Sequence, residues 1–218
     1  MKDQYLENLL QKSPEWLKEL EDYAEQNHVP IMEPLGIDFL VQMIKIKRPK
    51  KILEIGTAIG YSALRMLQAY PQTSITTIER DEARYKQALN NMEKYDQESK
   101  VNIIFDDALA CVEMVREEGP YDVLFVDAAK GQYQRFFELY SPMLAEDGII
   151  ISDNVLFKGL VASESYFDVK NKLVNKIKSY NEWLSNHPEY HTSIIPIGDG
   201  VAITTKNKNI ADEEKRGF

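Results

Sequence analysis

Cysteine is almost missing from this chain: Cys111 is the only one in 218 residues. No internal disulfide can form, and such usage fits a reducing cytoplasm. Cys111 itself has no catalytic neighbours in sequence and reads as a buried helix residue. Long apolar runs are lacking too. No stretch approaches the roughly 18 residues needed to span a bilayer, and MKDQYLENLLQKSPEW at the N-terminus has no signal-peptide core. A cytoplasmic protein with no membrane partner is expected. Basic charge is scarce: 26 Lys and Arg stand against 35 Asp and Glu, a net charge of −9. That argues against passive adhesion to nucleic acid, which needs clustered cations, although a local basic patch is a separate matter. The histidines, His28, His187 and His191, are scattered and form no zinc pattern. Neither G-x-G-x-x-G nor a terminal Gly-Lys-Ser/Thr occurs at the glycine-rich turn, which disfavours dinucleotides and ATP.

What is present is ordinary for a globular protein, with 44% hydrophobic and 28% charged residues. The length suits one well-cored domain over 1–218. Residues 1–50 read as helices. Leu6, Leu9 and Leu10 share one face; Ser13 is placed to cap a second helix, with Pro14 as its first residue and Leu17, Leu20 and Tyr23-Ala24 along it. Pro34 opens a third, with Leu35, Phe39, Leu40, Met43 and Ile44 as its stripe. From Lys51 short apolar runs alternate with helical stretches: ILEI (52–55), ITTIE (75–79), VNIIF (101–105), YDVLFVD (121–127) and GIIISDN (148–154). Near-continuous apolar strands separated by helices predict βαβ units around a parallel sheet. A helix over about 166–185 follows. Gly198-Asp199-Gly200 between HTSIIPI and VAITTK then predicts an antiparallel edge hairpin, and 207–218 is a polar, frayed tail. The expected fold is α/β, a Rossmann-like seven-stranded, mostly parallel sheet with that hairpin at one edge, helices on both faces and extra N-terminal helices.

Asp127 closes one apolar strand and Asp153-Asn154 the next. In an open α/β sheet ligands bind at the carboxyl ends of the strands. Two carboxylates and an amide there suit a hard divalent cation such as magnesium; ordinary capping acids are the alternative. Upstream, Gly56 and Gly60 are spaced G-x-x-x-G between a strand and a helix, permitting close backbone approach to a ligand or simply close packing. Glu79 ends the second strand, where an acid accepts hydrogen bonds from ribose hydroxyls or caps the following helix. Asp106-Asp107-Ala108 follows the third strand, where an adenine would lie. A ribose-bearing ligand without pyrophosphate fits this turn best, with S-adenosylmethionine as the leading candidate. Glu54, inside the first strand, is costly to bury without hydrogen bonds.

LEIGTAIGYSA, TIERD, DVLFVDAAKGQY, DNVLFKG and PIGDGVAI resemble, in order, the motifs of the cation-dependent O-methyltransferases of the catechol and caffeoyl-CoA type. The resemblance runs from Pro34 to Lys206. With VPIMEP and DNVLFKG, the chain looks most like the bacillus-type tRNA 5-hydroxyuridine methyltransferases. The resemblance implies magnesium held by Asp127, Asp153 and Asn154, and Lys130 as general base. It implies S-adenosylmethionine contacts from Met32, Gly56, Tyr61, Ser62, Glu79, Asp107, Ala108 and Asp127. Two departures stand out: Asp106-Asp107-Ala108 replaces the usual Gly-Asp-Ala, and LVASESYFDV after Gly159 does not match the substrate loops of the plant enzymes.

Methyl transfer needs a deprotonated oxygen held in line with the methyl carbon, and a cation chelating two vicinal oxygens provides both. A catechol offers such a pair. So does 5-hydroxyuridine, through its 5-hydroxyl and C4 carbonyl. Lys130 is either the base, if its pKa is lowered, or a solvated lysine. For a tRNA anticodon loop as partner, Arg135, Lys158, Lys170, Lys172, Lys176 and Lys178 would meet the backbone, and Tyr133, Phe157, Tyr166 or Phe167 would stack on the base. The alternative is a solvated lysine face. KIKRPKK (45–51) precedes the first strand, at the far end of the sheet. The resemblance makes wobble-base methylation the first expectation and a small catechol or hydroxycinnamoyl ester the second. The apolar spacing of the N-terminal helices also points to a homodimer.

Overall fold

The computed structural model describes residues 2–157, 159–163 and 171–207. Its strands are β1 (Lys51–Ile55), β2 (Ser74–Glu79), β3 (Val101–Phe105), β4 (Tyr121–Val126), β5 (Leu144–Ser152), β6 (Tyr190–Ile195) and β7 (Val201–Lys206). They form one sheet in the order β3-β2-β1-β4-β5-β7-β6. β1 to β5 run parallel, and β7 is antiparallel to both β5 and β6. The helices are α1 (Lys2–Glu7), α2 (Glu15–Gln26), α3 (Pro34–Lys47), α4 (Tyr61–Ala69), α5 (Glu82–Tyr95), α6 (Val112–Glu118), α7 (Tyr133–Tyr140) and α8 (Lys172–Ser185).

The apolar runs become central strands because both of their faces are covered. Successive residues of a strand point to opposite faces, and here they feed two different cores. Ile52, Ile75, Val123, Phe125, Ile149 and Ile151 pack with residues of α2, α3 and α4 on one face. Leu53, Ile55, Ile78, Leu124, Val126 and Ile150 pack with residues of α7 and α8 on the other. The expected sheet, edge hairpin, two-sided helices and N-terminal helices are all present.

Several boundaries differ. α1 ends at Glu7, so Leu9 lies beyond it and is exposed. A helix of one or two turns is held only by its packing, and here that comes from α3. Pro14, not Ser13, occupies the cap position of α2, with extended backbone, while the Ser13 hydroxyl donates to Glu21. In α3, Phe39 and Met43 are only partly covered, while Ile37 and Val41 join the buried stripe. β5 begins four residues ahead of the GIIISDN run, at Leu144. α8 starts at Lys172 behind an Asn171 cap whose side-chain oxygen accepts from the Leu173 and Val174 amides. Lys158, Tyr166, Phe167, Lys170 and 208–218 lie outside the described residues. Lys51 opens β1, so KIKRPKK does lie at the sheet end away from the strand carboxyl ends. No described helix is long and apolar enough to cross a membrane.

Candidate functional site

Strand order reverses between β1 and β4: one half of the sheet continues as β2 and β3, the other as β5. At such a switch point the loops after adjacent strands diverge and leave a crevice. Here it is a cavity of about 370 Å³, lined by residues following every one of the five parallel strands.

The sheet ladder extends one residue past the strands and so orients the acids. The Asp127 amide donates to the Ile55 carbonyl, and the Asp153 amide to that of Val126, each at 3.0 Å. Asn154 sits at φ 58°, a left-handed conformation that Asn tolerates better than most residues. Its side-chain amide donates to Asp153 at 2.8 Å. The Tyr133 hydroxyl, from α7, donates to the Asp153 carbonyl at 3.0 Å. On the other wall, the Gly56 and Thr57 amides donate to the Ile78 carbonyl. Gly56 has φ 105°, and a Cβ there would overlap the Asp127 carbonyl oxygen. Glycine at this position is thus required twice, by dihedral and by space.

Glu79 is not a helix cap. Asp81 caps α5, accepting from the Arg84 amide. Instead the Glu79 carboxylate gathers three backbone donors, from Ala58, Arg80 and Asp81, at 2.8–2.9 Å. This ties the glycine turn to the end of β2. Beneath that turn Glu54 is fully buried and accepts from the Ser62 and Thr77 hydroxyls. Burial pushes its carboxyl up to about 8 even though both hydroxyls pull it down.

Of the residues expected at the site, Gly56, Glu79, Asp107, Ala108, Asp127, Lys130, Asp153 and Asn154 all line the one cavity. Met32, Tyr61 and Ser62 do not. Met32 is buried in the core beside α3. The Tyr61 hydroxyl donates to Glu21 at 2.9 Å, and Ser62 serves Glu54. Sequence reasoning missed Pro30 and Ile31, which reach the cavity from the loop before α3, and Arg80 and Arg84 beside Glu79. Arg80 and Arg84 had a signal, since they belong to the run TIERDEAR. Pro30 and Ile31 stand in the run VPIMEP, but it is the packing of the N-terminal helices that brings them to the cavity. Asp106-Asp107-Ala108 forms a self-capped turn, with Asp107 accepting from Leu109 and pairing with Arg80 at 3.3 Å.

Electrostatically, the end of the cavity near β4 and β5 is under-compensated. Burial raises the carboxyl pKa of Asp127 and Asp153, and the charge of Asp127 raises Asp153 further. Lys130 opposes the shift in both, while Asp199 adds to it. Lys130 opens a short 3-10 turn after β4, and its ammonium lies 5.7 Å from the Phe157 ring centre. Among the described residues no three His, Cys, Asp or Glu side chains converge as a metal cluster; the expected trio includes an amide. The buried Asp153, the half-buried Asp127 and an amide, the two acids disfavoured as a pair and countered by Lys130, are a donor set that an oxygen-seeking divalent cation fits.

The O-methyltransferase family profile matches residues 7–207. The caffeoyl-CoA O-methyltransferase of Stellaria longipes is 34% identical over 200 residues, covering 87% of this chain and 83% of that protein. The flavonoid 3',5'-methyltransferase of Vitis vinifera is 32% identical over 204 residues, covering 87% and 86%. Among solved structures, a Staphylococcus aureus protein provisionally described as a caffeoyl-CoA O-methyltransferase superposes with a TM-score of 0.85 at 39% identity, covering 94% of this chain and 99% of its own. A Bacillus cereus O-methyltransferase in complex with S-adenosylhomocysteine has the same fold, with a TM-score of 0.81 at 24% identity and 94% and 96% coverage. The profile spans all seven strands, and the relatives align over most of both chains, so this chain belongs to the O-methyltransferase family of methyl-group transferases.

Proposed function

We propose that this enzyme transfers a methyl group from S-adenosylmethionine to one of two vicinal oxygens on a small molecule, a catechol or a hydroxycinnamoyl ester, with a divalent cation such as magnesium at Asp127, Asp153 and Asn154. One observation carries the reading: a single cavity joins the glycine turn and Glu79 to the two acids, Asn154 and Lys130. Relatives named for caffeoyl-CoA and flavonoid methylation favour this acceptor over the 5-hydroxyuridine of tRNA.

When bound, the sulfonium supplies an electrophilic methyl, and the cation lowers a hydroxyl pKa and fixes its orientation. The chain's own residues do the rest. Gly56 lets a ligand approach the backbone between β1 and β4. Glu79, already oriented by three amides, presents carboxylate acceptors for hydroxyl donors. Asp127 and Asp153 hold positive charge at the deep end, and Tyr133 fixes the Asp153 backbone. Lys130, in the same cavity as those acids, takes the proton released from the acceptor hydroxyl. Ile31, Ala108 and Phe136 supply apolar lining that limits water.

The test offers methyl-labelled S-adenosylmethionine and magnesium with caffeoyl-CoA, free catechol or hypomodified tRNA in parallel. Label is expected in the vicinal diols and not in tRNA. Label in tRNA alone would overturn the small-molecule acceptor in favour of 5-hydroxyuridine, and label in none would overturn the reading altogether.

A further inference from the structure

Asn154 is flanked by two residues whose main-chain polar groups are all taken. On one side the Asp153 amide donates to Val126, and the Asp153 carbonyl accepts from the Tyr133 hydroxyl. On the other, the Val155 amide donates to the Gly200 carbonyl at 3.0 Å. The Val155 carbonyl accepts from the Asn181 side-chain amide at 2.8 Å. Asn181 is buried on α8, on a face otherwise made of Val174, Ile177, Tyr180 and Leu184. A carbonyl can only accept, so the Asn181 nitrogen must face Val155. That orientation leaves the Asn181 side-chain oxygen buried, with no hydrogen-bond partner among the described residues. An orphaned acceptor in a core is unfavourable, and a leucine of similar size would avoid it. The amide therefore answers to something other than the packing of α8.

We infer that Asn181 is a positioning residue of the cation site, its amide holding the Val155 carbonyl so that the turn through Asp153 and Asn154 keeps its shape. The inference rests on the cation reading of those two residues with Asp127. Asn154 holds φ 58°, a left-handed conformation that a residue with a Cβ keeps only when its surroundings impose it. Its side-chain nitrogen is spent on Asp153, which leaves its side-chain oxygen as the atom for a cation. Rotation of the neighbouring peptides would move that oxygen. The hairpin turn restrains the donor side of this stretch, through the Gly200 carbonyl on Val155 and the Asp199 carbonyl on Leu156. Asn181 is the side chain that restrains its acceptor side. Partners of this outer kind orient the ligands without touching the ion.

The experiment measures Mn²⁺ binding without turnover, from the electron paramagnetic resonance of free Mn²⁺, and S-adenosylhomocysteine binding by calorimetry. Wild type is compared with Asn181→Leu, Asn181→Ser, Tyr180→Phe and Asp153→Asn. Asn181→Leu fills similar space without the amide and is expected to weaken Mn²⁺ binding about 10- to 100-fold, the range for partners behind a metal ligand. Its S-adenosylhomocysteine affinity and metal-free melting temperature should stay near wild type, because the glycine turn is untouched and the orphaned oxygen is gone. Asn181→Ser, which also lacks the amide, should weaken Mn²⁺ binding in the same way and stands in if the leucine variant folds poorly. Tyr180→Phe removes the hydroxyl that pairs with Ser152 at 2.9 Å from the same helix, and should bind Mn²⁺ as wild type does. Wild-type Mn²⁺ affinity in both Asn181 variants, with Asp153→Asn impaired, would overturn this inference alone. So would a joint loss of Mn²⁺ affinity, S-adenosylhomocysteine affinity and melting temperature in both, or an equal Mn²⁺ loss in Tyr180→Phe. Either result would make Asn181 a packing residue. Equal binding by wild type and Asp153→Asn would overturn the cation reading and this inference with it.

Discussion

Lys130 and Glu54 are ionisable residues that this fold uses in opposite ways. Lys130 places its side-chain nitrogen at the cavity wall beside two acids. If it takes the acceptor's proton, Lys130→Met should lower kcat about 10²- to 10⁴-fold, the usual contribution of a positioned base. S-adenosylhomocysteine binding, measured by calorimetry, should stay near wild type. A kcat within a factor of two of wild type would leave Lys130 as a solvated lysine. Glu54 instead is sealed beneath the glycine turn, its carboxyl raised from 4.5 to about 8. Between those values the folded state keeps a proton that the unfolded chain has released. Stability therefore falls as pH rises through the window. Glu54→Gln, which retains hydrogen-bonding capacity for Ser62 and Thr77, should flatten that decline, read from urea unfolding midpoints at about pH 5 and about pH 8. At this scale the acids were legible because a parallel strand announces its own end: an apolar run that stops at Asp points that Asp at the crevice. The side-chain directions of Met32, Tyr61 and Ser62 were not legible, because each is settled by a partner distant in sequence or by local packing.

At the scale of elements, the turn after β1 and the hairpin turn after β6, whose carbonyls accept from the Val155, Leu156 and Phe157 amides, do the positioning. Gly56→Ala would drive a methyl group into the Asp127 carbonyl, with its carbon 2.9 Å away, and impose a Cβ at φ 105°. We expect a stability loss of about 1–3 kcal/mol from the strained backbone, together with loss of S-adenosylhomocysteine binding, measured by thermal unfolding and calorimetry. Unaltered binding would show that the turn does not shape the cofactor cavity. Strand and helix types were readable from periodicity, since two-sided burial demands continuous apolar runs and one-sided helices demand stripes. Their ends were less readable. α1 stops at Glu7 although its leucine spacing continues, and β5 reaches back through Ala145, Glu146 and Asp147 because β4 offers a partner at Tyr121. Packing and pairing extend or truncate an element without leaving a mark in its own residues.

At the scale of the whole molecule, one sheet separates two cores and opens one cavity at its switch point. Ligands that bind only the folded state raise its melting temperature by mass action. Magnesium and S-adenosylhomocysteine should each raise the melting temperature, and a chelator should reverse the magnesium increment and abolish methyl transfer until the metal is restored. Chelator-insensitive transfer would sink the cation role. By itself, the order of the residues determined the alternation of strands and helices and which acids stand at strand ends, because periodicity and strand termination are local properties of the chain. Only the tertiary structure decided that Pro30, Ile31, Arg80 and Arg84 meet those acids around one crevice. Such meetings depend on strand order and on how loops far apart in sequence pack, and no local pattern encodes them.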